Sequence, residues 1–328
     1  MLVIGGTGAM GGLIVRKLLS GPTRTVRVLT RDAGSARVSA LLSDGDGRVE
    51  IVQGSLDDEQ SLLQAMTGVD AVFCNTDFWS TGSPAREYEQ GRCALRTAQR
   101  AGVRHFVWSS LDNAGDLTDG RVSVPHFDSK AAVAGWVDLM RSEEFMRKEP
   151  GGWYSRNVTV LVTAPYYQNF QFRVLPWQGR LADGRDGLVF NIALGSGRYP
   201  LIALEDIAWF ASHILGDREQ WGGRTLRVLG DSLTGPEIAG TFERITGIPA
   251  EFRDVPLQTL RTAMPDTGHD VAAMFEFFQT FDVMERARDM SHLRRLHPGL
   301  LSFADWLGVT GWRGEPVDVQ KLAVQLPA

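Results

Sequence analysis

Glycines near the start of the chain are the first residues whose type and spacing suggest chemistry. Gly5, Gly8 and Gly11 stand at G-x-x-G-x-x-G spacing within the stretch IGGTGAMGG, after an apolar segment and before a helical pattern. This is the context of a loop that cradles a pyrophosphate, with glycines for the tight turn, for the approach of the phosphates and for helix packing. Because a helix N-terminus also attracts negative charge, the stretch predicts a bound dinucleotide.

The kind of dinucleotide depends on the residue that ends the second predicted strand. An acidic residue there hydrogen-bonds the ribose 2′-hydroxyl of NAD, whereas an arginine suits the 2′-phosphate of NADP. Arg31 occupies this place, and its planar guanidinium can bind a phosphate through two N–H groups. Asp32 follows directly and keeps NAD open as the alternative. The sequence therefore favours NADP(H) over NAD(H).

Short apolar segments alternate with helical ones through the first half of the chain. Parallel strands need a crossover connection, so this alternation predicts an α/β fold with a doubly wound parallel sheet of the Rossmann type. Ligands of such a sheet bind outside the carboxyl ends of its strands. The predicted strands are Leu2–Gly5, Thr25–Thr30, Val49–Gln53, Ala71–Asn75, His105–Ser109 and Val158–Val162.

The second half has a different pattern. Residues 201–215 resemble a strand end that leads into a helix, and residues 224–230 resemble one more strand. Thr234 and Glu237 have the spacing of a capping box, and helical patterns dominate from there on. Aromatic residues at helical spacing in DVAAMFEFFQTFDV predict a small helical core, with the wall of a substrate pocket as the alternative.

Composition excludes several classes of protein. The net charge of the 328 residues is −5 and no long basic run occurs, which argues against direct binding of nucleic acid. No apolar run approaches the roughly 20 residues that span a bilayer. Two cysteines, Cys74 and Cys93, cannot form a disulfide framework or a zinc site, and we expect no metal. The sequence indicates a cytoplasmic protein.

Taken together, the glycine loop, Arg31 and the strand pattern resemble the NmrA-like family, which are atypical relatives of the short-chain dehydrogenases. The likeness reaches from the first residues to about Phe278. One member of the family that the sequence resembles acts as an NADPH sensor. It implies a Rossmann domain (residues 1–163 with about 203–232), a smaller, mostly helical C-terminal domain (about 164–202 with 233–328) and a cleft between them. The likeness is carried by GGTGAMGG, VRVLTR, VEIVQGSLDD, NTDFW, EQGR, SSLDN, LTDGR, HFDSK, PYYQN and AAMFEFF.

The resemblance also implies the residues that contact the dinucleotide. The glycine loop would hold the pyrophosphate and Arg31 the 2′-phosphate. One departure from the family's sensor is the stretch DAGSAR after Arg31, where Arg37 is the only further basic residue. The implied cofactor-binding residues are Gly5, Gly6, Thr7, Gly8, Ala9, Met10 and Gly11 in the loop, Arg31, Ser55 and Leu56 at the adenine, Thr76, Phe78 and Lys130 at the ribose and nicotinamide, and Tyr166 and Asn169 on the far wall.

Catalytic residues are harder to assign, because orthodox short-chain dehydrogenases carry a Tyr-x-x-x-Lys pair. Here the corresponding stretch is HFDSK, in which Lys130 is present and His126 stands in place of the tyrosine. Residues at i and i+4 of a helix share a face, so His126 could donate a proton beside Lys130. In the alternative, Lys130 only holds the ribose and His126 only lines the site.

These features leave two main hypotheses for function, and whether the chain is an enzyme stays open. The first is an NADP(H)-binding redox sensor or regulatory protein with weak or no orthodox dehydrogenase activity. The second is an NADPH-dependent reductase of a small carbonyl, quinone or enone that uses Lys130 and His126. A co-regulator of a transcription factor is a third class. We expect a monomer or homodimer whose partners are the dinucleotide and a small substrate or a regulatory protein.

Overall fold

The computed structural model describes residues 1–21, 24–149, 151–282 and 288–317. These residues form two compact units. Unit 1 contains Met1–Asn113, Pro125–Val162 and Ile207–Leu226, and unit 2 contains Ala114–Val124, Thr163–Asp206 and the chain from Arg227 onwards.

The secondary structure alternates between strands and helices in unit 1 and is mixed in unit 2. The strands are β1 Leu2–Ile4, β2 Val26–Thr30, β3 Val49–Gln53, β4 Ala71–Cys74, β5 His105–Ser110, β6 Val158–Val162, β7 Trp177–Arg180, β8 Asp186–Ile192, β9 Tyr199–Leu201, β10 Thr225–Arg227, β11 Asp231–Leu233 and β12 Ala250–Asp254. The helices are α1 Ala9–Leu19, α2 Ala36–Asp44, α3 Glu59–Met66, α4 Phe78–Thr81, α5 Pro84–Arg100, α6 Ala114–Leu117, α7 Pro125–Met146, α8 Trp153–Asn157, α9 Asn169–Phe172, α10 Leu204–Gly216, α11 Arg218–Trp221, α12 Gly235–Thr246, α13 Leu257–Ala263, α14 Gly268–Thr280, α15 Met290–Leu296 and α16 Phe303–Thr310.

A seven-stranded sheet forms the centre of unit 1, in the order β10-β6-β5-β4-β1-β2-β3. Strands β1 to β6 pair in parallel, which confirms the predicted doubly wound α/β fold. The strand order reverses between β1 and β4. Ligands of doubly wound sheets bind at this switch point, outside the carboxyl ends of the strands, and the glycine loop follows β1 there.

Local signals account for most helix boundaries in unit 1. Asp58 caps α3 by accepting a hydrogen bond from the backbone of Gln60, and the chain turns at Gly68 with φ +73°. Helix α5 begins with Ser83 as N-cap and Pro84 in its first turn, and Gly102, with φ +72°, follows its end. Both helices are therefore bounded by local signals in their own sequence.

Unit 2 contains more β-structure than the sequence indicates. Strands β12, β8 and β7 form a three-stranded sheet, and β11 pairs with β9. The sheet was missed because its outer strands β7 (WQGR) and β12 (AEFRD) lie at the edges and lack apolar alternation. The predicted capping box is present: Glu237 N–H donates to Thr234 Oγ1 at 3.3 Å, and Thr234 N–H donates to Glu237 Oε2 at 2.8 Å.

The aromatic stripe of α14 belongs to the core of unit 2. Phe275, Phe277 and Phe278 are buried, and the rings of Phe275 and Phe278 lie 5.4 and 5.5 Å from the ring of Tyr199. This agrees with the core interpretation of the stripe. Unit 2 is thus held together by aromatic packing between its helices and its short strands.

The described residues were predicted to contain neither a membrane span nor a metal site. No helix among the described residues is both long and apolar enough to cross a membrane. Within the same residues, no group of three or more His, Cys, Asp or Glu side chains is placed to hold a metal ion.

Cys74 lies in buried β4, and burial raises the pKa of its thiol to about 12, so this thiol is protonated and inert at neutral pH.

A buried histidine in unit 1 predicts acid sensitivity. His105 Nε2 lies 2.9 Å from Thr159 Oγ1, whose own proton is donated to the carbonyl of Trp221 at 2.8 Å. The imidazole must therefore donate through Nε2. Burial, aided by the charge of Arg218, lowers the pKa of His105 from 6.5 to about 4.

Below pH 6.5 we expect His105 to bind a proton in the unfolded chain but not in the folded chain. The free energy of unfolding therefore falls as the pH falls from 6.5 towards 4. The loss between pH 7 and pH 5 is about 2 kcal/mol. Urea unfolding at both pH values would measure it, with His105→Gln as the comparison, since an amide can still donate to Thr159. Equal pH dependence in both proteins would contradict this assignment.

Candidate dinucleotide site

The glycine loop between β1 and α1 is a tight turn held by its own backbone. Gly5 has φ +83°, which favours glycine, and the N–H of Gly8 donates to the Gly5 carbonyl at 2.9 Å. A Cβ on Gly11 would lie 2.1 Å from the Gly5 carbonyl oxygen, so the first turn of α1 rests directly on the loop. A Cβ on Gly6 would lie 2.8 Å from Val28 of β2. Gly5 thus serves the tight turn and Gly11 the packing of α1, as the sequence predicts, whereas the approach of a phosphate stays a prediction.

The N-terminus of α1 is suited to an anion. Gly8 is the N-cap, no side chain caps the helix and its first turn holds no acidic residue. The first N–H groups of a helix have no partner within it and carry its positive dipole end. Met10 is buried, and its sulfur accepts a hydrogen bond from Ser109 at 3.8 Å, so only its backbone can serve a phosphate. Thr7 and Ala9 are partly exposed at the tip of the loop.

Arg31 and Asp32 follow β2 and have different roles. The Arg31 side chain is 68% exposed, and its guanidinium Nη2 lies 3.9 Å from Asp77 Oδ2. Asp32 Oδ1 instead accepts a hydrogen bond from the N–H of Gly34 at 2.9 Å and closes the turn that leads into α2. One oxygen of its carboxylate is therefore engaged in local structure, and both residues are exposed. Arg37 is exposed on the first turn of α2.

Ser55 and Leu56 follow β3 and belong to a second turn. The hydroxyl of Ser55 accepts a hydrogen bond from the N–H of Asp57 at 3.2 Å, and the N–H of Ser55 donates to Ser61 Oγ at 3.1 Å. Leu56 packs against the core of unit 1. These contacts fix the turn beside the end of β2, where Gln53 also donates to the Arg31 carbonyl at 3.3 Å.

A buried polar cluster lies after β4. Lys130 Nζ lies 2.9 Å from the carbonyl of Thr76, 2.6 Å from its hydroxyl and 2.9 Å from Glu87 Oε1. Thr76 donates to the same Glu87 oxygen at 2.6 Å, and Ser129 donates to Glu87 Oε2. Glu87 is fully buried and Lys130 is 8% exposed. Removing one member of a buried ion pair costs about 3–5 kcal/mol, so this cluster is essential to the local fold.

His126 lies one turn before Lys130 on α7 and is 8% exposed. Its ring lies 4.7 Å from Phe127, 4.9 Å from Trp79 and 5.9 Å from Phe78, measured between ring centroids. Phe78 is buried, whereas Trp79 is 38% exposed. The imidazole is therefore set among aromatic rings, of which the indole reaches solvent.

The structure brings together fourteen of the sixteen residues predicted for the site, all in unit 1. The loop residues, Arg31, Ser55, Leu56, Thr76 and Phe78 follow the carboxyl ends of four adjacent strands, and Lys130 joins them through Thr76. Tyr166 and Asn169 belong to unit 2, and their part in the site stays a prediction. Desolvation raises the pKa of the Tyr166 phenol to about 12, so it is not primed to accept a proton.

Sequence reasoning missed Glu87 and Gly91 on α5. An acidic residue in the first turn of a helix is commonly a favourable charge at its N-terminus, so Glu87 carried no distinguishing signal. A Cβ on Gly91 would lie 2.6 Å from Val133 and 2.9 Å from Trp108, so this glycine allows α5 to approach α7. The sequence shows that Glu87 and Gly91 are one helical turn apart, but it does not show that both contact α7.

Comparison with known proteins identifies the family. An NmrA-like family domain-containing oxidoreductase of Aspergillus flavus is 27% identical over 289 residues, which are 84% of this chain and 82% of that protein. The fold matches crystal structures of the negative transcriptional regulator NmrA in complex with NAD and with NADP, at TM-scores of 0.70 and 0.69, 16% identity and 94% coverage of both chains. It also matches triphenylmethane reductase of Citrobacter sp. complexed with NADP(H), at a TM-score of 0.68, 19% identity and coverage of 93% of this chain and 97% of that one.

The family model describes nearly the whole chain. It matches residues 1–307, from the first strand of unit 1 to the last helix of unit 2. The match therefore includes the glycine loop, Arg31, the buried cluster around Lys130 and the helices of unit 2. The chain belongs to the NmrA-like family.

Proposed function

We propose that this chain binds NADP(H) through unit 1 and acts as a redox sensor or regulatory protein with weak or no orthodox dehydrogenase activity. The pyrophosphate would lie over the glycine loop and the N-terminus of α1, and Arg31 would hold the 2′-phosphate. The observation that supports NADP(H) over NAD(H) is the arrangement after β2: one oxygen of the Asp32 carboxylate is hydrogen-bonded within its own turn, and the Arg31 side chain is 68% exposed and carries the charge that suits a 2′-phosphate. NmrA has been crystallised with either cofactor, so the preference rests on Arg31.

The pairing of Lys130 with Glu87 supports a sensor rather than a dehydrogenase. In an orthodox dehydrogenase the positive charge of this lysine favours ionisation of a neighbouring tyrosine phenol. Here the tyrosine is absent, and the Lys130 ammonium is paired with the buried carboxylate of Glu87. The charge that would activate a proton donor is compensated within the protein. This chain therefore lacks the orthodox means of proton transfer.

A sensor must bind the two redox forms with different affinities, because a ligand that binds two states equally shifts nothing. We expect NADPH and NADP⁺ to differ in affinity by about tenfold or more, which is within the usual range of coupling energies. Isothermal titration calorimetry with each form, together with the mass of the assembly in each mixture, would test this. Equal affinities and an unchanged assembly would rule out the sensor.

A reductase of a small carbonyl, quinone or enone is the second candidate. It is favoured by the name of the Aspergillus flavus relative and by the partly exposed Trp79 beside His126, which offers an aromatic surface to a substrate. NADPH would supply the hydride, and His126 would supply the proton that the reduced oxygen takes up. Loss of NADPH absorbance with a panel of such substrates, abolished in His126→Asn, would establish this reading.

We also propose a compartment, an oligomeric state and a kind of partner for this chain. We place the chain in the cytoplasm, because its two cysteines are free thiols, which persist in reducing compartments. We expect it to be a monomer or homodimer. Its net charge of −5 favours a protein partner over direct contact with nucleic acid. A co-regulator role would fit such a partner.

A further inference from the structure

We infer that Glu87 is a positioning residue of the dinucleotide site: its carboxylate directs the Lys130 ammonium onto Thr76 and so fixes the segment Thr76–Phe78. This inference rests on the proposed function, because it assigns Glu87 a role in binding NADP(H). Lys130 then acts on the cofactor through the position of Thr76.

The first argument is the count of hydrogen-bond donors. A lysine ammonium has three N–H groups, and Lys130 Nζ has three acceptors within 2.9 Å: the Thr76 carbonyl, the Thr76 hydroxyl and Glu87 Oε1. Thr76 Oγ1 accepts from Lys130 and can therefore give its own proton to Glu87 Oε1, and Ser129 donates to Glu87 Oε2. These contacts hold the Lys130 ammonium against Thr76 and Glu87, and Glu87 takes the protons of Thr76 and Ser129.

The second argument is the rigidity of the frame that carries the pair. The Lys130 carbonyl accepts hydrogen bonds from Trp108 Nε1 at 3.0 Å and from Ser110 Oγ at 3.3 Å, so α7 is tied to β5. Gly91 lets α5 approach α7 closely, which sets the separation of their side chains. Helices α5 and α7 are thus fixed, and the Lys130 side chain with Glu87 ties the chain after β4 to them.

The charge of Lys130 is compensated by Glu87. The other titratable group that faces the pair from β4 is Cys74, whose thiol is neutral because burial raises its pKa to about 12. On α7, His126 lies one turn before Lys130 and Asp128 two residues before it. The Glu87 carboxylate is therefore the group in contact with Lys130 that compensates its charge. Because the pair is neutral, Lys130 offers no net attraction to the cofactor, and its effect depends on where it holds Thr76.

A double-mutant cycle separates positioning from simple stability. The variants are Glu87→Gln, Lys130→Met and their combination, with Glu89→Gln as the matched control, since Glu89 is on the same helix and its ion pair with Arg92 is exposed. The readouts are the Tm without cofactor and the Kd for NADPH by calorimetry. We expect each single variant to weaken NADPH binding about tenfold or more, through the loss of charge-assisted hydrogen bonds around Thr76.

The combined variant decides the matter. It removes both charges, so we expect it to recover most of the Tm lost by Lys130→Met while its Kd for NADPH stays as weak as in the single variants. A combined variant that binds NADPH as tightly as the wild type, or an unchanged Kd in Glu87→Gln, would overturn the inference while the proposed function stands. A wild type that does not bind NADPH would instead overturn the proposed function, and the Tm cycle would still report whether Glu87 and Lys130 form a coupled pair.

Discussion

The Gly11→Ala variant is expected to lose NADPH binding by about 1000-fold or more. The added Cβ would lie 2.1 Å from the Gly5 carbonyl oxygen and 2.8 Å from Gly6 Cα, which are backbone atoms that cannot rotate away. The loop and the first turn of α1 must therefore separate, and the N–H groups aimed at the phosphates move with them. Losing two or more hydrogen bonds to a charged group, at about 1.5–3 kcal/mol each, accounts for this factor.

A matched glycine provides the control for this variant. Gly135 lies on α7 in the same unit, and a Cβ there meets no atom within 4 Å. Gly135→Ala should keep wild-type affinity and, because alanine favours helices, raise the stability slightly. Calorimetry with NADPH and thermal unfolding of both variants would make the comparison. NADPH binding by Gly11→Ala within tenfold of the wild type would show that the cofactor does not use this loop.

The Arg31→Ala variant is expected to weaken NADPH binding by about 100-fold while NADH binding changes by less than about threefold. Two charge-assisted hydrogen bonds from one guanidinium to the 2′-phosphate supply about 3 kcal/mol or more. NADH lacks that phosphate, so it loses nothing comparable. Removing Arg31 also leaves the exposed carboxylate of Asp77, 3.9 Å from Arg31 Nη2, without its partner and near the phosphate. Calorimetry with both cofactors at one salt concentration measures the difference.

Arg37 supplies the control for the second variant. It is also an exposed arginine, on the first turn of α2, and it is the only basic residue in the stretch DAGSAR that follows Arg31. Arg37→Ala should weaken NADPH binding by less than tenfold, since Arg37 lies on α2 and not directly after β2, where the 2′-phosphate is expected. Equal losses of NADPH and NADH affinity in Arg31→Ala would remove the assignment of Arg31 to the 2′-phosphate.

Much of unit 1 was predictable because its signals are local. Each predicted strand of the first half is present within one residue at either end, from β1 to β6. Short valine-rich segments bounded by turn residues report a strand that is buried on both faces, which is what a parallel sheet with helices on either side requires. The glycine loop was predictable for the same reason: a turn that needs positive φ and close packing admits few residues other than glycine.

The sheet of unit 2 was not predictable in the same way. Its outer strands are short and polar, and their positions are set by pairing with β8. Strand β12 begins 64 residues after the start of β8, and the paired residues Leu188 and Ala250 are 62 positions apart. Pairing at such a separation leaves no pattern within either segment. Similarly, Glu87 looks like an ordinary acidic residue of a helical first turn, and its partnership with Lys130 joins residues 43 positions apart.

The sequence by itself determined that the chain has a doubly wound parallel sheet, that its first loop is a tight glycine turn between β1 and α1 and that Arg31 follows the second strand. These depend on neighbouring residues, through backbone conformation and periodic burial. Only the tertiary structure decided what the charged groups do. It engaged Asp32 in its own turn, left Arg31 exposed and paired Lys130 with Glu87. The physical reason is that the energy of a charged group depends on burial and on partners from distant segments, which spacing along the chain does not specify.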